Sequence, residues 1–255
     1  MGSIITRFEN LKSLASLKEG FLNLLFPRPC VFCGLDRQGA GACLCGPCQE
    51  ALHLIRQPWC GVCGFPAEID YSVPEDNFIC ARCRLEQPPF DRARSVVMYE
   101  SAFKGLMAFY KYQKQPGALD EIRNLLTTFY SDHSEIYNDL IVVPVPLHQN
   151  KCRSRGFDQA VMLAREVAAV FNLPLDAGVV TRNRDTESQT RMSRNKRIEN
   201  MRGAFEIQDA NSIEDRRVLL VDDVMTTGAT VSEVSRILKK GGARWVEVLT
   251  LGRAP

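Results

Sequence analysis

Residues 218–230, which read VLLVDDVMTTGAT, constrain the fold of this chain more than any other segment. The run from Val218 to Val221 is continuously apolar and does not alternate, which is typical of a parallel strand buried on both faces. A helical apolar pattern follows over residues 231–238 and ends at Gly241. The segment therefore predicts a buried strand that leads through a short loop into a helix.

Two acids and a run of small residues lie between the predicted strand and helix. A helix N-terminus presents unpaired N–H groups and favours anions. Small loop residues allow those N–H groups to approach a phosphate, and threonines add hydroxyl donors. The adjacent carboxylates suit a diol or a metal ion, so the expected ligand is a ribose 5-phosphate. The residues concerned are Asp222 and Asp223, followed by Thr226, Thr227, Gly228, Ala229 and Thr230.

Two other interpretations of this segment exist. A hydrophobic strand ending in two aspartates occurs in P-loop ATPases, but that class needs GxxxxGK[ST], which is missing from this sequence. An ordinary strand-to-helix turn with solvated acids would also give the pattern. The fit of so many residue types to one ligand favours the ribose phosphate site.

Four Cys-x-x-Cys pairs in the first 83 residues predict metal binding. Two pairs are followed directly by glycine, in CVFCG and CGVCG, and such turns are typical of zinc knuckles. Taken in sequence order the pairs form two four-thiolate sites for structural Zn²⁺, with interleaved pairing as the alternative. The predicted ligands are Cys30, Cys33, Cys45 and Cys48 in the first site and Cys60, Cys63, Cys80 and Cys83 in the second.

A disulfide framework is the main alternative to zinc. Disulfides need an oxidising compartment, and the N-terminus lacks the pattern of an export signal. We therefore expect reduced cysteines and a cytoplasmic location. A redox role would not need four pairs at regular intervals. Two cysteines are left over, Cys43 and Cys152, and Cys43 could replace Cys45 as a ligand.

Length and composition predict one α/β domain preceded by a small module. The chain has 255 residues and a net charge of only +2, so any nucleic-acid contact must come from a local basic patch. No apolar run approaches the roughly 18 residues needed to span a membrane. We expect an amphipathic helix within 1–28, a double zinc ribbon over 29–88 and the main domain over 89–255, with a linker near 86–94.

Strand and helix patterns alternate through the main domain, which predicts right-handed βαβ units and a mostly parallel sheet flanked by helices. In such sheets ligands bind at the carboxyl ends of the strands. The predicted strands are 95–99, 140–147, 179–180, 218–221 and 245–252, and the predicted helices before the 218–230 segment are 101–113, 121–130 and 157–172.

A second strand end carries cations. Pro144 and Pro146 restrict the backbone where the strand leaves the sheet. Lys151, Arg153 and Arg155 follow, just before the next helix. Cations beside a helix start can hold a pyrophosphate. A solvated basic loop is the alternative.

The stretch 181–205 is basic and shows almost no apolar periodicity. Structureless segments longer than roughly 12–15 residues are usually functional or disordered. We expect a mobile basic lid over a polyanionic substrate, or a contact to single-stranded nucleic acid. A helix with a solvated charged face is the alternative. The polar residues of interest are Gln189, Arg197 and Asn200.

These features, in this order, resemble the ComF family of competence proteins, also called GntX-like, over about residues 20–255. The resemblance rests on the cysteine pairs, the KY segment at 111–112, PVPLH, RGFDQA, the R…Q…R…N stretch and VLLVDDVMTTGAT. The last of these resembles the phosphoribosyl pyrophosphate loop of type I phosphoribosyltransferases. The family joins a zinc ribbon to a phosphoribosyltransferase-like domain and is associated with DNA uptake in natural transformation.

The resemblance implies a site for phosphoribosyl pyrophosphate with Mg²⁺. Asp222 and Asp223 would hold the ribose hydroxyls, directly or through Mg²⁺, and the loop from Thr226 to Thr230 would hold the 5-phosphate. The pyrophosphate would lie near a second group, and the lid would cover the site. That second group is Val145, Pro146, Leu147, Arg153 and Arg155, and Arg197 belongs to the lid.

Two functions are compatible with this resemblance. The first is a phosphoribosyltransferase that releases pyrophosphate through an oxocarbenium-like transition state, with an acceptor and a general base that the sequence does not identify. The second is a non-catalytic protein that binds single-stranded DNA through the zinc ribbon and the basic stretch, which salt dependence would reveal. Competence or recombination proteins are the implied protein partners.

Overall fold

The computed structural model describes residues 29–37, 43–67, 78–112, 116–148, 150, 152–153, 158–184 and 194–255. The predicted amphipathic helix within 1–28, Lys151, Arg155 and Gln189 lie outside these residues. Across the described segments, every helix is too short or too polar to cross a membrane.

A four-stranded parallel sheet forms the centre of the main domain, as predicted. Its spatial order is β1-β6-β5-β2, and each neighbouring pair is parallel. A separate antiparallel pair is formed by β3 and β4. The strands are β1 (Arg92–Met98), β2 (Ile141–Pro144), β3 (Val180–Arg182), β4 (Phe205–Ile207), β5 (Arg217–Met225) and β6 (Trp245–Arg253).

Helices cover both faces of the sheet. One face packs against α3, α4 and α5 through side chains such as Val142, Leu219 and Leu249. The other packs against α7, the β3–β4 pair and the second cysteine group through Val143 and Leu220. Burial on both faces explains why the strand sequence does not alternate. The helices are α1 (Gly46–Glu50), α2 (Ala81–Leu85), α3 (Ser101–Tyr112), α4 (Pro116–His133), α5 (Gln159–Phe171), α6 (Arg194–Met201) and α7 (Ala229–Lys240).

Several strand boundaries differ from the predictions: β2 ends at Pro144 instead of Leu147, β3 runs to Arg182, and β4 was not predicted. β5 continues past Val221 through both acids, because β6 is equally long and pairs with it as far as Met225 opposite Arg253. The predicted linker at 86–94 ends earlier than expected, since Phe90 is buried and β1 begins at Arg92. Asp222 and Asp223 therefore lie inside a strand, where successive side chains point to opposite faces.

The chain between the two cysteine groups extends the sheet. The amide of Met98 donates to the carbonyl of His53 at 2.9 Å, and the amide of Ile55 donates to the carbonyl of Val96 at 2.9 Å. Residues 53–55 thus pair with the edge of β1 that β6 leaves open. This pairing anchors both cysteine groups to the main domain.

Each Cys-x-x-Cys-Gly turn ends in a glycine with positive φ, but the surroundings of the two glycines differ. Gly34 has φ +75° and open space around the position of an added Cβ. Gly64 has φ +65°, and an added Cβ would overlap the carbonyl oxygen of Ala93 in β1. Only the second turn therefore needs glycine for packing as well as for its backbone conformation.

We expect Gly64→Ala to destabilise the protein more than Gly34→Ala. Both variants carry the strain of alanine at positive φ, about 1–2 kcal/mol. Gly64→Ala adds a steric overlap with a strand backbone, which costs roughly 1–3 kcal/mol more. Urea unfolding of the zinc-loaded proteins measures the difference. Equal losses in the two variants would show that the second turn does not pack tightly on β1.

Candidate functional site

The eight predicted cysteines form two groups of four. In each group the sulfur atoms all lie within 4.8 Å of one another. The groups follow sequence order, with Cys30 to Cys48 in one and Cys60 to Cys83 in the other, so the interleaved pairing is wrong. Four thiolates at such separations suit tetrahedral Zn²⁺. Cys43 is buried but belongs to neither group, and Cys45 is the ligand.

Hydrogen bonds prepare the second group for a metal. The hydrogen bond from Cys63 lowers the pKa of Cys60 to about 4. The amide of Cys80 also donates to the Cys60 sulfur at 3.3 Å. The hydrogen bond with Cys60 in turn raises the pKa of Cys63, because the Cys63 thiol keeps the proton that the two sulfur atoms share. Metal binding releases such protons, since the thiolate is the ligand.

The two acids of β5 occupy different environments. Asp223 forms an ion pair with Lys111 from the last turn of α3. Asp222 accepts a hydrogen bond from the amide of Asp223 at 2.8 Å. Burial, followed by the neighbouring charge of Asp223, raises the pKa of Asp222 to about 7. Near neutral pH the pair can thus accept hydroxyl donors or a cation that neutralises this excess negative charge.

Lys111 was missed as a site residue, although the KY segment was part of the resemblance. Its position depends on the RGFDQA motif. The side-chain amide of Gln159, which is 3% exposed, donates to the Lys111 carbonyl at 2.7 Å. The Tyr110 hydroxyl donates to the Gln159 carbonyl at 2.7 Å. These bonds hold the end of α3 against the start of α5, and so place Lys111 beside Asp223.

The predicted phosphate loop connects β5 directly to α7. Gly228 has φ +78°, and an added Cβ would lie 2.9 Å from the Met225 side chain. The Thr227 hydroxyl accepts a hydrogen bond from the amide of Ala229, the first residue of α7, at 3.3 Å. Backbone amides around a residue with positive φ can form an anion-binding concavity. The glycine turn and the helix start are thus both present, and anion binding by them stays a prediction.

The basic stretch 181–205 contains more regular structure than expected. Arg182 lies in β3, and residues 194–201 form α6, so these parts are not structureless, and the helix given as the alternative is present. Apolar burial explains the helix, because Met201, its last residue, is fully buried. The Arg197 side chain of α6 donates to the Thr226 hydroxyl at 3.2 Å. The stretch therefore does reach the loop, through a helix.

Of the residues expected near a pyrophosphate, Val145 and the adjoining Pro146 and Leu147 lie at the same edge of the sheet. The amide of Val145 donates to the carbonyl of Val221 at 2.8 Å, just before the acid pair. Val145 is buried, Pro146 and Leu147 are half-buried, and Arg153 is exposed. This edge carries the acid pair, the loop and the exit of β2, which meet as the topology requires.

Comparisons with known proteins cover both parts of the chain. Residues 158–255 match the family model of the phosphoribosyl transferase domain, and residues 21–84 match that of the double zinc ribbon domain. The chain is 29% identical over 229 residues to Competence protein F of Haemophilus influenzae, which covers 88% of this chain and 96% of that protein.

Two further relatives align over similar lengths. DNA utilization protein YhgH of Escherichia coli K12 is 28% identical over 234 residues, covering 90% of this chain and 99% of the relative. Competence protein ComFC of Bacillus subtilis is 29% identical over 215 residues, covering 83% of this chain and 84% of the relative. These relatives thus carry both parts of the chain in the same order.

Proposed function

The chain is a ComF-like protein, with a double zinc ribbon followed by a type I phosphoribosyltransferase-like domain, and on this premise we propose that it binds phosphoribosyl pyrophosphate with Mg²⁺. One observation carries the proposal. An acid pair lies in the last part of a central parallel strand, and the Gly228 turn and the start of α7 follow directly after that strand. This arrangement offers acceptors for a diol and donors for a phosphate at the same edge of the sheet.

Each part of the ligand has a matching group. The amides and hydroxyls from Thr226 to Thr230 would donate to the 5-phosphate, and Arg197 would add positive charge beside them. Asp222 and Asp223 would accept hydrogen bonds from the ribose hydroxyls, directly or with Mg²⁺ between. The backbone of residues 145–147 would face the pyrophosphate. Lys111 would hold Asp223 in position.

We propose a transfer reaction at this site. The bond between the anomeric carbon and the pyrophosphate oxygen would break, and the acceptor would form the new bond to that carbon. The cations around the loop and the exit of β2 would stabilise the charge on the departing pyrophosphate. Mg²⁺, when bound, supplies further positive charge to that group. Exclusion of water by α6 and its flanking residues would favour the acceptor over hydrolysis.

The relatives suggest the biological setting. They are described as competence and DNA utilization proteins, and they align over nearly their whole length. We propose that this chain likewise acts in the uptake or use of external DNA, with competence or recombination proteins as partners.

Titration calorimetry tests the ligand. The zinc-loaded protein is titrated with phosphoribosyl pyrophosphate in the presence of Mg²⁺, beside ribose 5-phosphate and pyrophosphate as partial ligands. We expect micromolar affinity for the whole ligand and weaker binding of each part. Binding would justify a search for acceptors that trigger pyrophosphate release. No heat at millimolar ligand would contradict the proposal and favour the alternative of a non-catalytic protein that binds single-stranded DNA.

A further inference from the structure

The second cysteine group contacts the phosphate loop directly. Arg82 lies on α2 between two ligands of that group, Cys80 and Cys83. Its guanidinium donates a hydrogen bond to the carbonyl oxygen of Thr227. The same guanidinium lies 3.5 Å from the position that a Cβ on Gly228 would take. The helix that contains Cys83 and begins directly after Cys80 therefore touches the middle of the loop.

A second link joins this group to the strand before the loop. Arg253, which is 2% exposed, donates to the carbonyl of Cys63 at 3.2 Å. The same side-chain nitrogen lies 2.8 Å from the sulfur of Met225, the last residue of β5. Its other terminal nitrogen lies 3.8 Å from the Cys63 sulfur. A zinc ion with four thiolates is negatively charged overall, so it would compensate this buried cation.

The first cysteine group makes its contacts elsewhere. Gln49, on the helix next to Cys48, donates to both carboxylate oxygens of Glu121 in α4, at 3.0 and 3.1 Å. Phe32, between Cys30 and Cys33, lies against Gly105 of α3. These contacts anchor the first group to the helices on one face of the sheet, whereas the second reaches the loop.

A cavity lies next to the contact between Arg82 and the loop. It has a volume of about 360 Å³ and separates the second cysteine group from α7 and the residues around α6. Cys83, Thr227 and Arg202 are among the residues that line it. Met225 and Ala229, on either side of the loop, pack in the same buried cluster as Cys63 and Cys83, and Thr227 between them borders the cavity. The hydrogen bond from Arg82 holds the Thr227 carbonyl beside this cavity.

The peptide between Thr227 and Gly228 shows what this bond achieves. In a trans peptide the C=O and N–H point in opposite directions. When Arg82 holds the Thr227 carbonyl, the Gly228 N–H must point away from the cavity. With φ +78° at Gly228, that N–H can join its neighbours in a concave anion-binding arrangement.

We propose that the second zinc ribbon is part of the phosphate site and that Arg82 is a positioning residue, which orients the Thr227–Gly228 peptide for an anion. The phosphate ligand itself rests on the function proposed above. Zinc in the Cys60–Cys83 group would then control phosphate affinity by holding Arg82 in place, whereas zinc in the first group would not.

A matched pair of variants tests this role. Arg82→Met removes the donor, and Arg84→Met removes an exposed guanidinium from the same helix. We expect hydrogen exchange of the amides at 226–230 to be about 10-fold faster, and the affinity for phosphoribosyl pyrophosphate to be about 10- to 100-fold weaker, in Arg82→Met alone. Both variants should keep two zinc ions per chain. Arg82→Lys, which retains a positively charged hydrogen-bond donor, should recover part of the affinity.

The outcomes separate this inference from the proposed function. If the wild type binds the ligand but Arg82→Met behaves like Arg84→Met in exchange and affinity, the positioning role is wrong and the proposed function stands. If the wild type binds no ligand, the proposed function fails, and the exchange rates alone decide the role of Arg82. Loss of zinc in Arg82→Met would instead assign this residue to the stability of the ribbon and overturn the inference.

Discussion

Loss of phosphoribosyl pyrophosphate binding is the expected result of replacing both acids, in the variant Asp222→Asn/Asp223→Asn. Asparagine keeps the size of aspartate but removes the charge that a cation or hydroxyl donors require. Hydrogen bonds to charged groups contribute about 1.5–3 kcal/mol each. Two of them together correspond to a loss of roughly 10²- to 10⁴-fold in affinity, which titration calorimetry in Mg²⁺ can measure.

The single variant Asp222→Asn should fold at least as well as the wild type, since it leaves the ion pair of Asp223 with Lys111 in place. A raised pKa of about 7 means that the folded state disfavours the charged form of Asp222. The stability linked to this group is therefore present below the pKa of the unfolded chain, near 4, and is lost as the pH rises towards 7. Asparagine at position 222 removes that loss, so urea unfolding of Asp222→Asn at pH 8 should show no destabilisation.

A surface variant controls for the change in net charge. Asp132 and Glu135 are exposed near the end of α4, and Asp132→Asn/Glu135→Gln removes the same two charges. Its affinity should match that of the wild type. Undiminished binding in the Asp222→Asn/Asp223→Asn variant would show that the acid pair does not hold the ligand.

Replacing Cys63 by serine should have the largest effect on stability. Structural zinc contributes apparent binding free energies of about 10–16 kcal/mol in small zinc domains. Loss of one ligand should reduce the zinc content from two ions to one. The buried positive charge of Arg253 would then lack the negative charge of the zinc–thiolate centre beside it. We expect a large fall in unfolding temperature, measured calorimetrically, together with loss of ligand affinity.

Two other cysteine variants serve as controls for this prediction. Cys43→Ser changes a buried cysteine outside both groups, so two zinc ions should remain bound. Cys33→Ser should release the zinc of the first group but leave the contact between Arg82 and the phosphate loop in place. Retention of two zinc ions by Cys63→Ser would contradict the assignment of the second site.

Much of the candidate site was predictable because its chemistry is local in sequence. The strand, the acids, the Gly228 turn and the start of α7 are consecutive, and each is indicated by periodicity or by a backbone requirement of its own residues. The cysteine pairs are also local, since each knuckle brings its two thiolates together within four residues. Their pairing in sequence order was open until the sulfur atoms were located.

Contacts between distant segments were decided only by the tertiary structure. The extension of β5 through Asp222 and Asp223 depends on the length and register of β6. The ion pair of Lys111 with Asp223 depends on Gln159, which fastens α3 to α5. No local pattern encodes such partners, because each depends on how separate elements pack.

The sequence by itself therefore determined which chemical groups this protein carries: two sets of thiolates, an acid pair and a glycine-containing loop that we propose binds an anion. The tertiary structure decided which of them act together. It placed the second cysteine group against the predicted phosphate loop through Arg82 and beside the end of β5 through Arg253. The described contacts of the first group are with α3 and α4. The physical reason is that the edge of β1 and the close approach at Gly64 fix where the second ribbon packs, and both depend on backbone positions that lie far apart in the chain.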